Sequence, residues 1–432
     1  MIRLIYLCLL FFFVISPAFG YIDPGTGSML FSFLTGLAVT LYFFLKNLLL
    51  RLKTLTFRKH KETVGDKPAF VFYSEGGRYW NVFKPIIEEF HRRGIKCSYF
   101  TSDLADPGLQ FQSEYIQTKC IGEGNKAYHT LNFLEADICI TTTPGLDVLQ
   151  FKRSPGVKHY VHILHAVTDA TLYRLFGLDY YDSVFLTGPY QIMDLRTLEK
   201  LRGTKEKRLE VVGCTYLDEL AVTVKSINSK QASENIPKTV LVAPSWGENG
   251  MLRRFGMKLL QPLAESGYHI IIRPHPQSFI SEIATINRLK KELSQYSSIE
   301  WNNDRENIYV LSRSDILISD FSGVIFDFLF LFGRPVVYMD FNFDLRPYDA
   351  ADVDREPWTF HTLRTLAHPL KEAEFIKIGD LLNSLRENED RNTALAKARE
   401  EAYANPGMAG VYAAEKLLNI HMTLQGNTHD PK

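Results

Sequence analysis

The sequence predicts an α/β chain: two Rossmann-like, doubly wound domains facing a cleft, preceded by N-terminal membrane segments. Three observations carry this. From Asp66 onward, short β-branched runs alternate with helical patterns, as in a parallel sheet covered on both faces. The polar residues able to do chemistry fall at the carboxyl ends of those runs. The first sixty or so residues are instead apolar blocks closed by a basic flank.

The clearest unit is SDILISDFSGVIFDFLFLFGRPVVYMD, from Ser314 to Asp340. Asp315 to Ser319 reads as a buried strand. Asp320-Phe321-Ser322-Gly323 is rich in helix-capping types, and Val324 to Phe332 is apolar nearly all round apart from Asp327. Gly333 ends that helix, and Val336 to Met339 forms the next strand. A polar turn between a strand end and a helix start offers free amides and the positive end of a helix dipole. The turn therefore reads either as a phosphate site or as an ordinary βαβ connection in which Ser322 merely caps the helix.

At the start, Leu4 to Ile15 is apolar after Arg3, and Ala18-Phe19-Gly20 has the small residues of a signal-peptidase site. Residues 1–20 are thus a signal-like or first transmembrane segment. Met29 to Leu45 extends to Leu50, about 33 Å at roughly 1.5 Å per residue, enough to cross a bilayer. Arg51, Lys53, Arg58, Lys59 and Lys61 follow it. Residues 21–61 are therefore expected to hold a transmembrane helix whose basic flank keeps the body in the cytoplasm, at the inner membrane. A cleaved signal with one span and an uncleaved helical hairpin are both compatible with the pattern.

Residues 66–224 form the expected N-terminal domain. Its strands are Ala69–Tyr73, Ile95–Phe100, Asp137–Thr141, His159–Ile163, Ser183–Thr187 and Leu209–Val212. A helix from Val82 to Arg93 buries Val82, Phe83, Ile86, Ile87 and Phe90 and stops at Gly94. Residues 225–238 are polar and aperiodic, an expected linker. Residues 239–424 form a second such domain with terminal helices, of which Gly410 to Thr423 is suited to pack back on the first; 425–432 is a tail. Its strands are Thr239–Ala243, Tyr268–Arg273, Ser298–Trp301, Asp315–Ser319 and Val336–Met339.

Composition excludes some classes. Lysine plus arginine (49) balances aspartate plus glutamate (49), so no overall charge calls for nucleic acid. Cys8, Cys97, Cys120, Cys139 and Cys214 include no CxxC pair, against a zinc site or a disulfide framework.

Four polar turns share one rim of the second sheet: Ala243-Pro244-Ser245-Trp246-Gly247, Arg273-Pro274-His275-Pro276, Ser319 to Gly323, and Asp340. RPHP is a rigid turn in any reading, and its Arg and imidazole suit a pyrophosphate. Trp246 either stacks a base or packs, and Glu248 is expected in solvent. In the first domain His162 and His165 end one strand; alternation leaves His165 beyond it, the better cleft candidate. The glycines of Tyr73-Ser74-Glu75-Gly76-Gly77-Arg78 either admit an acceptor or only turn the chain.

RPHP followed some forty residues later by SDFSGVIFDFLFLFGRPVVYMD resembles the CDP-glycerol glycerophosphotransferase family, the teichoic-acid primases and polymerases. There the second motif reads like SDYSSVxFDxxxxxKPVxFYxxD. APSW at Ala243–Trp246 resembles the family's APTW, and His165 falls where the family has the His of WHG. The likeness spans Pro155 to Asp340.

The resemblance implies a GT-B fold, a CDP-glycerol or other CDP-polyol donor in the C-terminal domain, and work at the cytoplasmic membrane face on a lipid-linked or glycan acceptor. It implies His165 as general base on the acceptor hydroxyl and His275 as a second catalytic histidine at the donor phosphates. Arg273, Ser245, Trp246, Asp320, Ser322 and Gly323 would bind the donor, with no metal or other cofactor invoked. The chain departs from the pattern at Gly247 (usually Arg), Gly323 (Ser) and Ala166 (Gly), and lacks the RG and PG pattern after Asp340. Two other readings stand: a GT-B nucleotide-sugar glycosyltransferase or epimerase, and a non-catalytic membrane-anchored scaffold.

Overall fold

The computed structural model describes residues 33–42, 45, 67–228, 238–304, 306–340, 343–385 and 389–426. Residues 1–66 and 67–432 separate as two units. In the first, residues 33–42 are helical. Among the described residues no helix is long and apolar enough to cross a membrane. The expected segment 1–20, and most of 21–61 with its basic flank, lie outside the described residues.

The second unit carries two all-parallel sheets. The first contains β1 (Phe70–Ser74), β2 (Cys97–Thr101), β3 (Ile116–Cys120), β4 (Ala136–Thr141), β5 (Val157–Ile163), β6 (Ser183–Leu186) and β7 (Arg208–Val211). Their spatial order is β3-β2-β1-β4-β5-β6-β7. The second contains β8 (Thr239–Val242), β9 (His269–Ile272), β10 (Ile299–Trp301), β11 (Ile316–Ser319), β12 (Val336–Met339) and β13 (His368–Leu370), ordered β10-β9-β8-β11-β12-β13. In each sheet the order reverses beside the first strand, between β1 and β4 and between β8 and β11. Doubly wound sheets bind ligands at such switch points.

Strand alternation explains the layers. Phe70 and Phe72 of β1 pack with Phe83, Ile86, Ile87 and Phe90 of helix Trp80–Arg92 on one face. Val71 and Tyr73 point to the opposite face, with Leu131 and Tyr160. In β11, Leu317 faces helix Val324–Phe332, while Ile316 and Ile318 face Leu259 and Leu260. Gly333 closes that helix at φ +66°, its amide bonding the Leu329 carbonyl at 3.0 Å.

Sequence periodicity missed β3 and β13, for a shared reason. Both are edge strands. β3 buries one face only, and β13 carries Pro369, which edge pairing tolerates. Residues 225–228, read as linker, continue helix Thr215–Asn228; residues 229–237 lie outside the described residues. Helix Ala409–Gly426 takes in Gln425, read as tail, and rests on the first sheet's helix layer through Ala413, Ala414, Leu417 and Ile420.

That last contact depends on a missing side chain. A Cβ at Gly410 would lie 2.6 Å from Pro85 Cβ and 2.8 Å from its backbone. Gly410→Ala should therefore cost about 1–3 kcal/mol, read as a lower urea midpoint at unchanged m. An unchanged midpoint would show that the two helices separate freely.

Candidate functional site

Strand-end turns of both sheets meet around a cavity of about 390 Å³. The first sheet gives Arg78 and Tyr79 after β1 and His165, Ala166 and Thr168 after β5. The second gives Ala243 and Pro244 after β8, Arg273 to Pro276 after β9, Glu306 and Asn307 after β10, and Ser322 to Val324 with Asp327 after β11. A neighbouring cavity of about 550 Å³ shares Arg78 and Arg273 and is lined also by Glu75, Asp103, Glu123, Asn303 and Asp304.

Of the residues expected from sequence, His165, His275, Arg273, Ser322 and Gly323 are brought together here. The other three are placed differently. Asp320 is 2% exposed, and its carboxylate is spent on the neighbouring turns: it accepts from the amides of Ser245 (2.9 and 3.0 Å), Met251 (3.1 Å) and Phe321 (2.8 Å) and from the Ser245 side chain. It organises two turns and has no oxygen aimed at the 390 Å³ cavity. Ser245 contributes its amide and its side chain to that arrangement and does not line this cavity. Trp246 is 45% exposed beyond the cavity, its ring centroid 6.3 Å from that of His275. Glu248 is exposed as expected and pairs with Arg253 at 2.6 Å.

Each histidine is held in a defined way. The Gln277 amide donates to His275 Nδ1 at 3.1 Å, so the neutral ring carries its proton on Nε2. His275 is then a hydrogen-bond donor on its remaining side. Tyr79 packs edge-on against His165 at 5.3 Å between centroids, and the Tyr173 hydroxyl lies 3.3 Å from His165 Nδ1. Arg273 bonds the Asn302 side-chain oxygen, which fixes its guanidinium at the cavity wall.

Electrostatics of the cleft follow from burial plus fixed cations. Burial and the charge of Arg78 push His165 down to about 4. Burial, Arg78 and Arg273 push His275 down to about 4. Both rings are neutral at pH 7. Opposite them, burial pushes Asp327 up to about 7, offset in part by a hydrogen bond with Asn307. At the Ser322 turn the cleft thus lowers the charge of Asp327 and presents Arg78, Arg273 and helix-start amides, with Glu306 on the same wall. It is built to receive an anion.

Sequence reasoning missed Arg78, Tyr79, Asn307, Asp327 and Tyr173. Two left a signal: Arg78 ends the glycine turn after β1, and Asp327 is the polar exception in an apolar helix. Tyr173 left none.

Two facing doubly wound sheets with the site at their strand ends define the GT-B class of α/β proteins. The profile of the family described as CDP-Glycerol:Poly(glycerophosphate) glycerophosphotransferase matches residues 178–356, which bears out the resemblance seen in the motifs. The match takes in Arg273, His275 and Ser322; His165 lies before it. It supports a transferase of glycerophosphotransferase type. Among solved structures, the wall teichoic acid polymerase TagF is similar at 17% identity and a TM-score of 0.56, over 88% of this chain and 96% of that one. A TagF variant treated with CDPG matches at a TM-score of 0.54 and 17% identity, over 88% of this chain and 96% of that one. A putative UDP-N-acetylglucosamine 2-epimerase from Listeria monocytogenes matches at 13% identity and a TM-score of 0.55, over 85% of this chain and 99% of that one. No curated protein matches the chain.

The lowered histidines carry a stability consequence. Their folded pKa lies below the unfolded value of about 6.5, so the unfolded chain binds protons first and stability is lost as pH falls from about 6.5 to about 4. From pH 7 to pH 5, wild type should lose about 1–2 kcal/mol more unfolding free energy than His275→Gln. Parallel pH profiles in urea unfolding would refute the buried, neutral His275.

Proposed function

We propose that this chain transfers glycerol phosphate, or a related polyol phosphate, from a CDP-alcohol to an acceptor hydroxyl in cell-surface polymer or glycan synthesis, releasing CMP. The observation that carries it is the pair of neutral histidines on opposing turns of one desolvated cleft, with Arg78 and Arg273 beside them. The family match and the likeness to a polymerase solved with CDPG supply the donor class. The apolar N-terminal blocks support an acceptor held at the cytoplasmic face of the inner membrane.

In the reaction His165 accepts the acceptor's hydroxyl proton as its oxygen attacks the β-phosphorus. The new P–O bond forms while the bond from that phosphorus to the bridging oxygen breaks, and the electron pair leaves with CMP. Arg273, the Nε2–H of His275 and the amides at Ser322 and Gly323 face the growing charge. An anionic donor also raises the basicity of both rings by opposing the Arg78 field, so His165 becomes a competent base when substrate is bound.

His165→Ala should lower turnover by about 10²–10⁴-fold while calorimetric CDP affinity is kept. Arg273→Ala should weaken CDP binding by about 10- to 100-fold, and His275→Ala should weaken both binding and transfer. Full transfer by His165→Ala would overturn the base assignment. The epimerase neighbours keep a nucleotide-sugar reading in view. In the same titration, preference for UDP over CDP would select it, and failure to bind CDP, UDP or ADP would select a scaffold.

Two departures from the family pattern argue against a decayed site, because they touch. A Cβ at Gly323 would sit 3.7 Å from the Ala166 methyl and 3.8 Å from Thr168 Cγ2. The family pairs Ser with Gly at these places; this chain pairs Gly with Ala, so volume moves from one wall to the other. Gly323→Ser and Ala166→Gly should therefore couple in a double-mutant cycle on turnover, by about 0.5–3 kcal/mol. Strict additivity would show that the exchange is accidental.

A further inference from the structure

Behind His165 lies a buried relay that the reaction above does not yet use. His162, on β5 and fully buried, places Nε2 3.2 Å from the Tyr173 hydroxyl. The same hydroxyl lies 3.3 Å from His165 Nδ1. Tyr173 and Tyr181 pack edge-on against the His162 ring, at 5.3 and 5.1 Å between centroids. Tyr173 itself is fixed from the second sheet, its carbonyl accepting from the Asp349 amide at 2.9 Å. We propose that Tyr173 and His162 are positioning residues that set the tautomer of His165, placing its proton on Nδ1 and leaving Nε2 bare toward the cleft. This rests on His165 being the base.

The number of protons available to the three rings decides the tautomer. Tyr173 has one hydroxyl proton between two imidazole nitrogens, and burial keeps the phenol protonated by pushing its pKa upward. It donates to one ring and accepts from the other. If it donates to His165, then His165 Nε2 carries the proton and is no base. In that arrangement His162 donates from Nε2 and leaves a bare Nδ1 in the core. Nδ1 of His162 makes no well-formed hydrogen bond, and the backbone group acting on its ring is the Thr143 carbonyl, an acceptor. Two lone pairs would then face each other in a dry site.

The reverse orientation removes that conflict. His162 turns Nδ1–H toward the Thr143 carbonyl, whose second lone pair takes the Tyr181 hydroxyl. His162 Nε2 then accepts from Tyr173, and Tyr173 accepts from His165 Nδ1–H. The acceptor at the far end of the chain dictates which nitrogen of His165 is bare. Nothing need titrate for this to work; the relay orients a proton and does not transfer one.

The test reads the tautomer directly. In full-length protein with ¹⁵N-labelled histidine, two-bond ¹H–¹⁵N correlations, assigned with His165→Gln, should show His165 protonated on Nδ1 at neutral pH. In Tyr173→Phe that pattern should be lost, with kcat down about 10- to 100-fold and the KM for CDP-glycerol unchanged. A wild-type His165 protonated on Nε2 overturns the proposal without any variant. So does a Tyr173→Phe protein that keeps both tautomer and kcat. If the Nδ1–H tautomer is present and tyrosine-dependent but the protein transfers nothing from CDP-glycerol, the positioning stands and the reaction assigned above falls.

Discussion

The cleft depends on one buried carboxylate. Asp320 gathers the amides of Ser245, Met251 and Phe321, and so binds the turn after β8 to the turn after β11. Ser319 adds a second tie between the same strands, its hydroxyl donating to the Ala243 carbonyl at 2.6 Å. Hydrogen bonds to a carboxylate are about twice as strong as neutral ones, which suits a place where two irregular turns must hold still. Because the amides of 245 and 251 are drawn inward, Ala243 and Pro244 form one wall of the cavity while Ser322 and Gly323 present another. A residue of the recognition motif thus acts from behind the surface it shapes.

From that geometry the electrostatics follow. Closing strand-end turns over a small volume removes water, and the first effect is on groups that would otherwise be charged: His165 and His275 fall, and Asp327 rises. Arg78 adds to the fall at both histidines, at His165 from the same sheet and at His275 from across the cleft, so the two halves of the fold share one field. A cleft of this kind holds both imidazoles neutral beside two guanidiniums.

Much of this was legible in the sequence, and the limits have physical causes. The strand-turn-helix from Ile316 to Phe332 and its Gly333 stop could be read because burial on both faces leaves a continuous apolar run with a polar break. His165, Arg273, His275 and Ser322 could be read because they end strands, and parallel sheets put such ends on one rim. The tie that Asp320 makes between two turns was not legible, because a carboxylate that faces a ligand and one that gathers backbone amides look the same in sequence. Tyr173 was invisible for a different reason. It follows a short helical turn, Ala170–Leu172, and reaches His165 only through packing.

That packing extends the site into the fold. The loop carrying His165 and Tyr173 is strapped to the second sheet's side of the cleft: Asp169 accepts from the amides of Trp358 and Thr359, both at 2.8 Å, and Asp349 accepts from Phe176 at 2.7 Å. Arg202 closes the strap by pairing with Asp179, Asp349 and Asp352. Helix Thr215–Asn228 braces the other side, its Leu217, Leu220 and Val224 packing with Phe326 and Leu329 of the helix after β11. The two sheets are therefore joined on either side of the cleft, and the loop that carries His165 is held by bonds whose partners belong to the second sheet's side. The distance between His165 and the turn at Ser322 is then set by contacts spread through the unit that begins at Lys67.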